Sequence, residues 1–130
     1  MDLYADAVHR VRTVCADLPE AKEEPAWVGL RWKVRTNTFA HVLEILDGHP
    51  GAFARAAGTG GPATVFTFRS ADPELQALLV GGGRFFGPLW GRDDIGVLVD
   101  DLTDWDEMAE LLVESYRLRA PKSLAARLPR

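Results

Sequence analysis

Across residues 30–35 large apolar and cationic residues alternate one for one, with Leu30, Trp32 and Val34 in one register and Arg31, Lys33 and Arg35 in the other. A period of two belongs to a half-buried antiparallel strand, in which successive side chains leave opposite faces. Thr36-Asn37 follows as a tight turn. A two-residue loop there sets Val34 opposite Phe39, Leu30 opposite Leu43, Lys33 opposite Ala40 and Arg31 opposite Val42. The hairpin so built has one apolar face and one basic face.

The remaining pattern predicts elements on both sides of this hairpin. Tyr4, Val8, Val11, Cys15 and Leu18 recur at helical spacing over 2–18, with Asp2 placed to cap and Leu18-Pro19 placed to stop the helix. The segment EAKEEP reads as a solvated connector. After a flexible stretch, HPGAFARAAGTGGPA, the run TVFTFR is a third strand with Phe66 and Phe68 inward and Thr67 and Arg69 outward. Asp72-Pro73 starts a short helix that Gly81-Gly82-Gly83 ends. RFFGPLWGRD is a loop or an edge piece, and the β-branched run at 95–99 is a strand. Thr103 to Leu118 forms the longest helix, capped by Thr103, and Pro121 restarts a short terminal one.

This order predicts an α+β fold, a mainly antiparallel sheet with helices packed on one face. The expected core is Trp32, Val34, Phe39, Leu43, Phe66, Phe68, Val97, Trp105, Met108, Leu112 and Tyr116. At 130 residues and 47% hydrophobic content, the chain 1–130 fits a single domain able to bury a core without disulfides or metals. Cys15 has no partner cysteine, no charged leader precedes an apolar stretch, and no apolar run approaches the ~20 residues of a membrane span. A soluble cytoplasmic protein, with no membrane partner, is the expectation.

Charge narrows the partners. The formal net charge is −4, the wrong sign for holding nucleic acid by bulk electrostatics. Its distribution is uneven, with seven acids and no base from Asp100 to Glu114, then five bases and no acid from Ser115 to Arg130. A helix macrodipole accounts for that order, since acids favour a helix N-terminus and bases its C-terminus.

The chain resembles the MmcQ/YjbR family in its actinobacterial form, through WKVRTNTFAHV, FRSADPELQALL, FFGPLWG and above all the ending WDEMAELLVESYRLRAPKSLA. The resemblance spans nearly the whole chain. It implies a frataxin-type, CyaY-like α+β fold, and the family is usually labelled DNA-binding with a double-wing description. It carries no catalytic set to transfer to this chain.

The residues themselves offer no catalytic constellation either. His9, His41 and His49 stand in no ligand spacing with Cys15, and His41 falls in register with Phe39 and Leu43, as a satisfied core or rim histidine does. Asp106, Glu107, Glu110 and Glu114 could hold a divalent ion, as acidic ridges on frataxins are thought to do, but a solvated helix face explains them without a supporting ligand shell. Gly58-Thr59-Gly60-Gly61 precedes a strand and lacks the lysine of a phosphate loop. Ser115 has no nucleophile elbow, and Cys15 sits on an apolar helix face. The reading is of a non-enzyme with no cofactor and no metal, acting as monomer or homodimer.

Two surfaces remain. Arg31, Lys33, Arg35 and Arg69 would share the open sheet face, helped by Lys122 in the tail, as a cationic patch for phosphates or an acidic partner. No aromatic residue stands there to stack single-stranded bases, so nucleic acid would be bound weakly and without sequence preference. The same cations can equally be a solvated face that guards against edge pairing. Alternatively Trp27, Phe85, Phe86 and Trp90 line an aromatic loop pocket for a small ligand or a protein partner.

Overall fold

The computed structural model describes residues 2–79, 83–87 and 91–129. Helix α1 (Leu3–Cys15) starts where the Asp2 carboxylate accepts the Tyr4 amide, and it buries Ala7, Val8, Val11 and Cys15. The EAKEEP segment is not a connector. Most of it forms strand β1 (Ala21–Pro25), which pairs antiparallel with β2 (Leu30–Val34), placing Glu23 opposite Trp32 and Glu24 opposite Arg31. Its acids conceal it from a hydrophobicity pattern, because an edge strand with one open side needs few apolar residues.

Strand β3 (Asn37–Ile45) returns from β2 with Val34 opposite Asn37, so the turn is Arg35-Thr36, not Thr36-Asn37. Arg35 adopts a left-handed φ of 56° there and leaves the strand face on which period two had placed it. The register then shifts between Trp32 and Lys33, so that Trp32 meets Ala40 while Lys33 meets Thr38. Phe39 is the extra residue of this bulge, and it turns onto the helices, edge-on to Tyr116 at 5.4 Å between ring centres. Beyond it the expected faces of β3 are reversed. Ala40 and Val42 join Trp32 and Phe66, and Leu43 goes to the other side.

The stretch expected to be flexible contains helix α2 (Gly51–Ala57), which buries Phe53 and ends at left-handed Gly58. Strand β4 (Ala63–Arg69) pairs with β3, and helix α3 (Pro73–Leu78) begins at Asp72, whose carboxylate accepts the Glu74 amide. Of the three glycines expected to end it, Gly81 and Gly82 lie outside the described residues. Strand β5 (Phe85–Phe86) is a two-residue edge beside β6 (Asp94–Val99). Helix α4 (Trp105–Arg119) is capped by Asp104, not Thr103; its carboxylate accepts the Asp106 and Glu107 amides. Helix α5 (Lys122–Ala125) follows Pro121.

The six strands run β1-β2-β3-β4-β6-β5, antiparallel throughout, in an α+β fold. Helices α1 and α4 cover one face, where Trp32, Val42, Phe66, Phe68 and Val97 form the main core with Met108, Leu112 and Tyr116. Trp105 is half-buried against that core. The other face carries a second, smaller core of Leu43, Ile45, Phe53, Val65 and Phe86. Gly96 lies beneath Phe86, whose ring would stand 2.6 Å from any Cβ added there. Ser115 joins the layers, donating from Oγ to the carbonyl of bulged Phe39 at 2.5 Å and accepting the Arg69 amide at 2.8 Å. Among the described residues no helix is long and apolar enough to cross a membrane.

Candidate functional site

A single row crosses the face opposite α1 and α4, through Glu24, Arg31, His41, Thr67, Gly96 and Phe86, one residue from each strand. Its Arg31 and His41 border a cavity of about 230 Å³. Ala26, Trp27 and Val28 of the β1–β2 loop form one wall, Arg31 of β2 and Thr38, His41 and Arg69 of β3 and β4 form the floor, and Phe53 of α2 closes the far side. The loop is pressed to the sheet at Gly29, where φ is 74° and an added Cβ would strike the Val42 carbonyl oxygen at 2.0 Å. Ala26 N–H donates to the Gly29 carbonyl at 3.0 Å and closes the turn. Trp27 is thereby held out at the rim, 88% exposed.

Two polar anchors set the floor. His41 is buried, and its Nε2 lies 2.5 Å from the Val28 carbonyl, an acceptor only, so Nε2 carries the proton and ties the loop to β3. Burial pushes the His41 pKa down, against the opposing pull of that carbonyl. His41 and Phe53 meet edge to face, with ring centres 6.1 Å apart. Arg69 donates from Nη1 to Asp94 Oδ1 at 2.5 Å, a pair with only 13% and 2% of the side chains exposed. Burial lowers the Arg69 pKa, opposed by the Asp94 charge. Nearby, Arg119 reaches Asp93 at 2.7 Å.

The expected cationic patch is matched by carboxylates, two of them from the EAKEEP segment. Arg31 Nε donates to Glu24 Oε1 at 2.7 Å, Lys33 Nζ sits 3.2 Å from Glu24 Oε2, and Arg35 grips Glu20 at 2.7 and 3.2 Å. The hydrogen bonds from Arg31 and then Lys33 hold the Glu24 pKa below the ordinary range, and Arg35 does the same for Glu20. Four cations of the expected patch therefore face three carboxylates. Lys122 is elsewhere, beside Arg117, Ala125, Ala126 and Leu128 in a shallow cavity of about 460 Å³.

The expected aromatic pocket is divided. Trp27 lines the cavity, but Phe85 turns to the helix face against Phe68 at 6.3 Å and Phe86 is buried in the smaller core. Trp90 lies outside the described residues. Thr38, His41 and Phe53 are the site residues that the sequence reading missed. The alanine-rich AFARAA run was the available signal for the helix that carries Phe53, since alanine is the strongest helix former. Cys15 is buried at the end of α1, where desolvation pushes its thiol up to about 12. Among the described residues no group of three or more His, Cys, Asp or Glu side chains is gathered as a metal site.

A family model described as YjbR matches residues 16–118. Among solved structures, a protein from Pseudomonas syringae is 15% identical and superposes with a TM-score of 0.60, covering 92% of this chain and 99% of its own. At that identity the likeness is one of fold. No curated protein matches the chain.

Proposed function

The chain belongs to the YjbR family, and from that footing we propose that it is a non-enzymatic binding domain that holds a small ligand in the cavity between the Trp27 loop, α2 and the sheet. One observation carries the reading. Trp27 and Phe53 converge with Arg31, Thr38, His41 and Arg69 on a single recess of about 230 Å³, apolar walls over a floor of fixed donors, as small-molecule sites are built. The described residues that line that recess are donors and apolar groups, which suits holding a ligand. The one cysteine, buried and unpaired, suits a reducing compartment such as the cytoplasm.

The nucleic-acid reading draws less support. Duplex affinity rests on cations that neutralise phosphates and release counterions, whereas Arg31, Lys33, Arg35 and Arg69 already share Glu20, Glu24 and Asp94. Titration of 15N-labelled protein with a mixed set of neutral and anionic ring fragments, and separately with a short DNA duplex, tests both. Fragments are expected to shift the Trp27 indole and the amides around Thr38 and His41, and the duplex to shift none at physiological salt. Saturable duplex binding along β2 with no fragment at the cavity would overturn the proposal.

A further inference from the structure

The cavity's charge and shape restrict what it can hold, on the premise that it is a ligand site. Among the described residues of this corner Arg31, Lys33 and Arg69 face Glu24 and Asp94, three cations to two carboxylates. One positive charge is left over. Arg119 does not add to it, because Asp93 cancels it. A ligand with one negative charge completes the balance. A dianion would place a surplus charge beside Asp94, which is 2% exposed and poorly screened.

The donors are planar and fixed. Asp94 holds Arg69 through Nη1, and among the described residues no hydrogen bond engages its Nε or Nη2. Glu24 holds Arg31 through both Nε and Nη2. The Nε–Nη2 fork of Arg69 suits the two coplanar oxygens of a carboxylate, with the charge of Arg31 beside it. Above them the exposed Trp27 offers flat apolar surface while Phe53, 2% exposed, closes the inner end, and a recess of about 230 Å³ lies below the range of ~300–1,000 Å³ usual for drug-sized ligands. There is room for one ring and a short acidic arm.

We propose that the cavity binds a small monocarboxylate bearing one flat ring, with the carboxylate on Arg69 and Arg31 and the ring against Trp27. The proposal deepens the small-ligand reading above and depends on it. Titration of the 15N-labelled full chain at neutral pH with benzoate, indole-3-carboxylate, benzamide, phenyl phosphate and acetate separates the two. Either aromatic carboxylate should give saturable shifts at the Trp27 indole and at the amides of Thr38, His41 and Arg69. Neutral benzamide and ring-less acetate should bind at least about tenfold more weakly, since each lacks one half of the recognition. Arg31→Gln leaves the Arg69–Asp94 pair intact and should weaken benzoate by about tenfold, as a lost charge-assisted bond does. Trp27→Ala, at an exposed rim position, should weaken it several-fold without unfolding the chain. Equal or tighter binding of benzamide or phenyl phosphate at the same residues would overturn the carboxylate assignment and leave the pocket standing. Silence from all five probes would overturn both.

Discussion

The two faces of the sheet are built from the same strands and do different work. On the helix side the rows Trp32, Ala40, Phe68, Ile95 and Leu30, Val42, Phe66, Val97 are apolar from β2 to β6 and lie under α1 and α4. The opposite face is divided along its length. Leu43, Ile45, Val65 and Phe86 close one part under Phe53, while Glu24, Arg31, His41 and Arg69 occupy the rest. The first face spends its whole area on stability, and the second leaves polar donors beside a recess. Neighbouring residues of β4 put this contrast on a scale. Phe66→Ala on the helix face should cost ~3–5 kcal/mol, whereas Thr67→Ala, one position along and facing the other way, should cost about 1 kcal/mol. Urea unfolding of both variants measures the difference, and equal losses would mean that the two faces share one core.

Much of this division was legible in the residues, and the failures have local causes. Alternation was decisive in β2, where apolar residues alternate with cations. It was uninformative in β3, because Phe39 to Leu43 is buried on both faces and reads as unbroken apolar sequence apart from His41. With no polar residue to choose a side, the bulge at Phe39 went unseen and every assignment beyond it slipped by one. The cations were recognised, but their partners were not. Glu20 and Glu24 lie close to Arg35 and Arg31 only because β1 pairs with β2, a tertiary fact that a charged segment does not announce. The site suffered for the same reason, since Trp27, Phe53 and Arg69 meet across three elements.

The family-like ending ESYRL also became intelligible only in three dimensions. Ser115 is fully buried, and its hydroxyl satisfies both the Phe39 carbonyl freed by the bulge and the Arg69 amide, while Tyr116 donates to the Pro19 carbonyl at 2.6 Å. Ser115 is therefore the polar pin between the helix-covered face and the strand that carries Arg69 across to the mixed one. Ser115→Ala leaves two buried backbone groups without a partner and should cost about 1–3 kcal/mol, less than Phe66→Ala and more than its small volume change implies. Thermal unfolding gives the value. A loss near zero would show that water or a backbone shift replaces the hydroxyl and that the faces are less tightly coupled than the geometry indicates.

A smaller effect separates the faces by pH, because the titratable group His41 is buried only on the mixed one. Burial holds its pKa below the ordinary value, with Asp94 opposing that shift and Arg69 and Arg31 adding to it. An unfolded histidine takes up its proton near pH 6.5, so the unfolded chain gains protons first as pH falls. Stability from this group is thus complete above that value and drains away between it and the lower folded pKa. One proton limits the slope to about 1.4 kcal/mol per pH unit. Glu20, Glu23 and Glu24, held low by Arg35, Arg12 and Arg31, contribute a further loss only below the glutamate range. Unfolding free energies at pH 7 and 5.5 should therefore differ in the native chain and converge in His41→Asn. An unchanged slope in that variant would assign the pH dependence to another group.

The smallest expected change in stability asks whether the carboxylates of β1 are what keep the cationic strand quiet. Arg31, Lys33 and Arg35 are partly exposed, as are Glu20 and Glu24, and solvent screening leaves exposed ion pairs with little effect on stability. Glu20→Gln combined with Glu24→Gln should then leave the fold nearly as stable as before. Electrostatically the same pair of changes is large, since it removes two negative charges beside three cations from a chain whose formal net charge is −4. Binding to phosphates grows with the number of cations free to neutralise them and weakens steeply with salt. The double variant should accordingly retain labelled duplex DNA at low salt and release it at physiological salt, while the native protein retains little at either. Retention by the native chain equal to that of the variant would show that Glu20 and Glu24 do not mask these cations, and the mixed face would then have to be read as a polyanion surface in its own right.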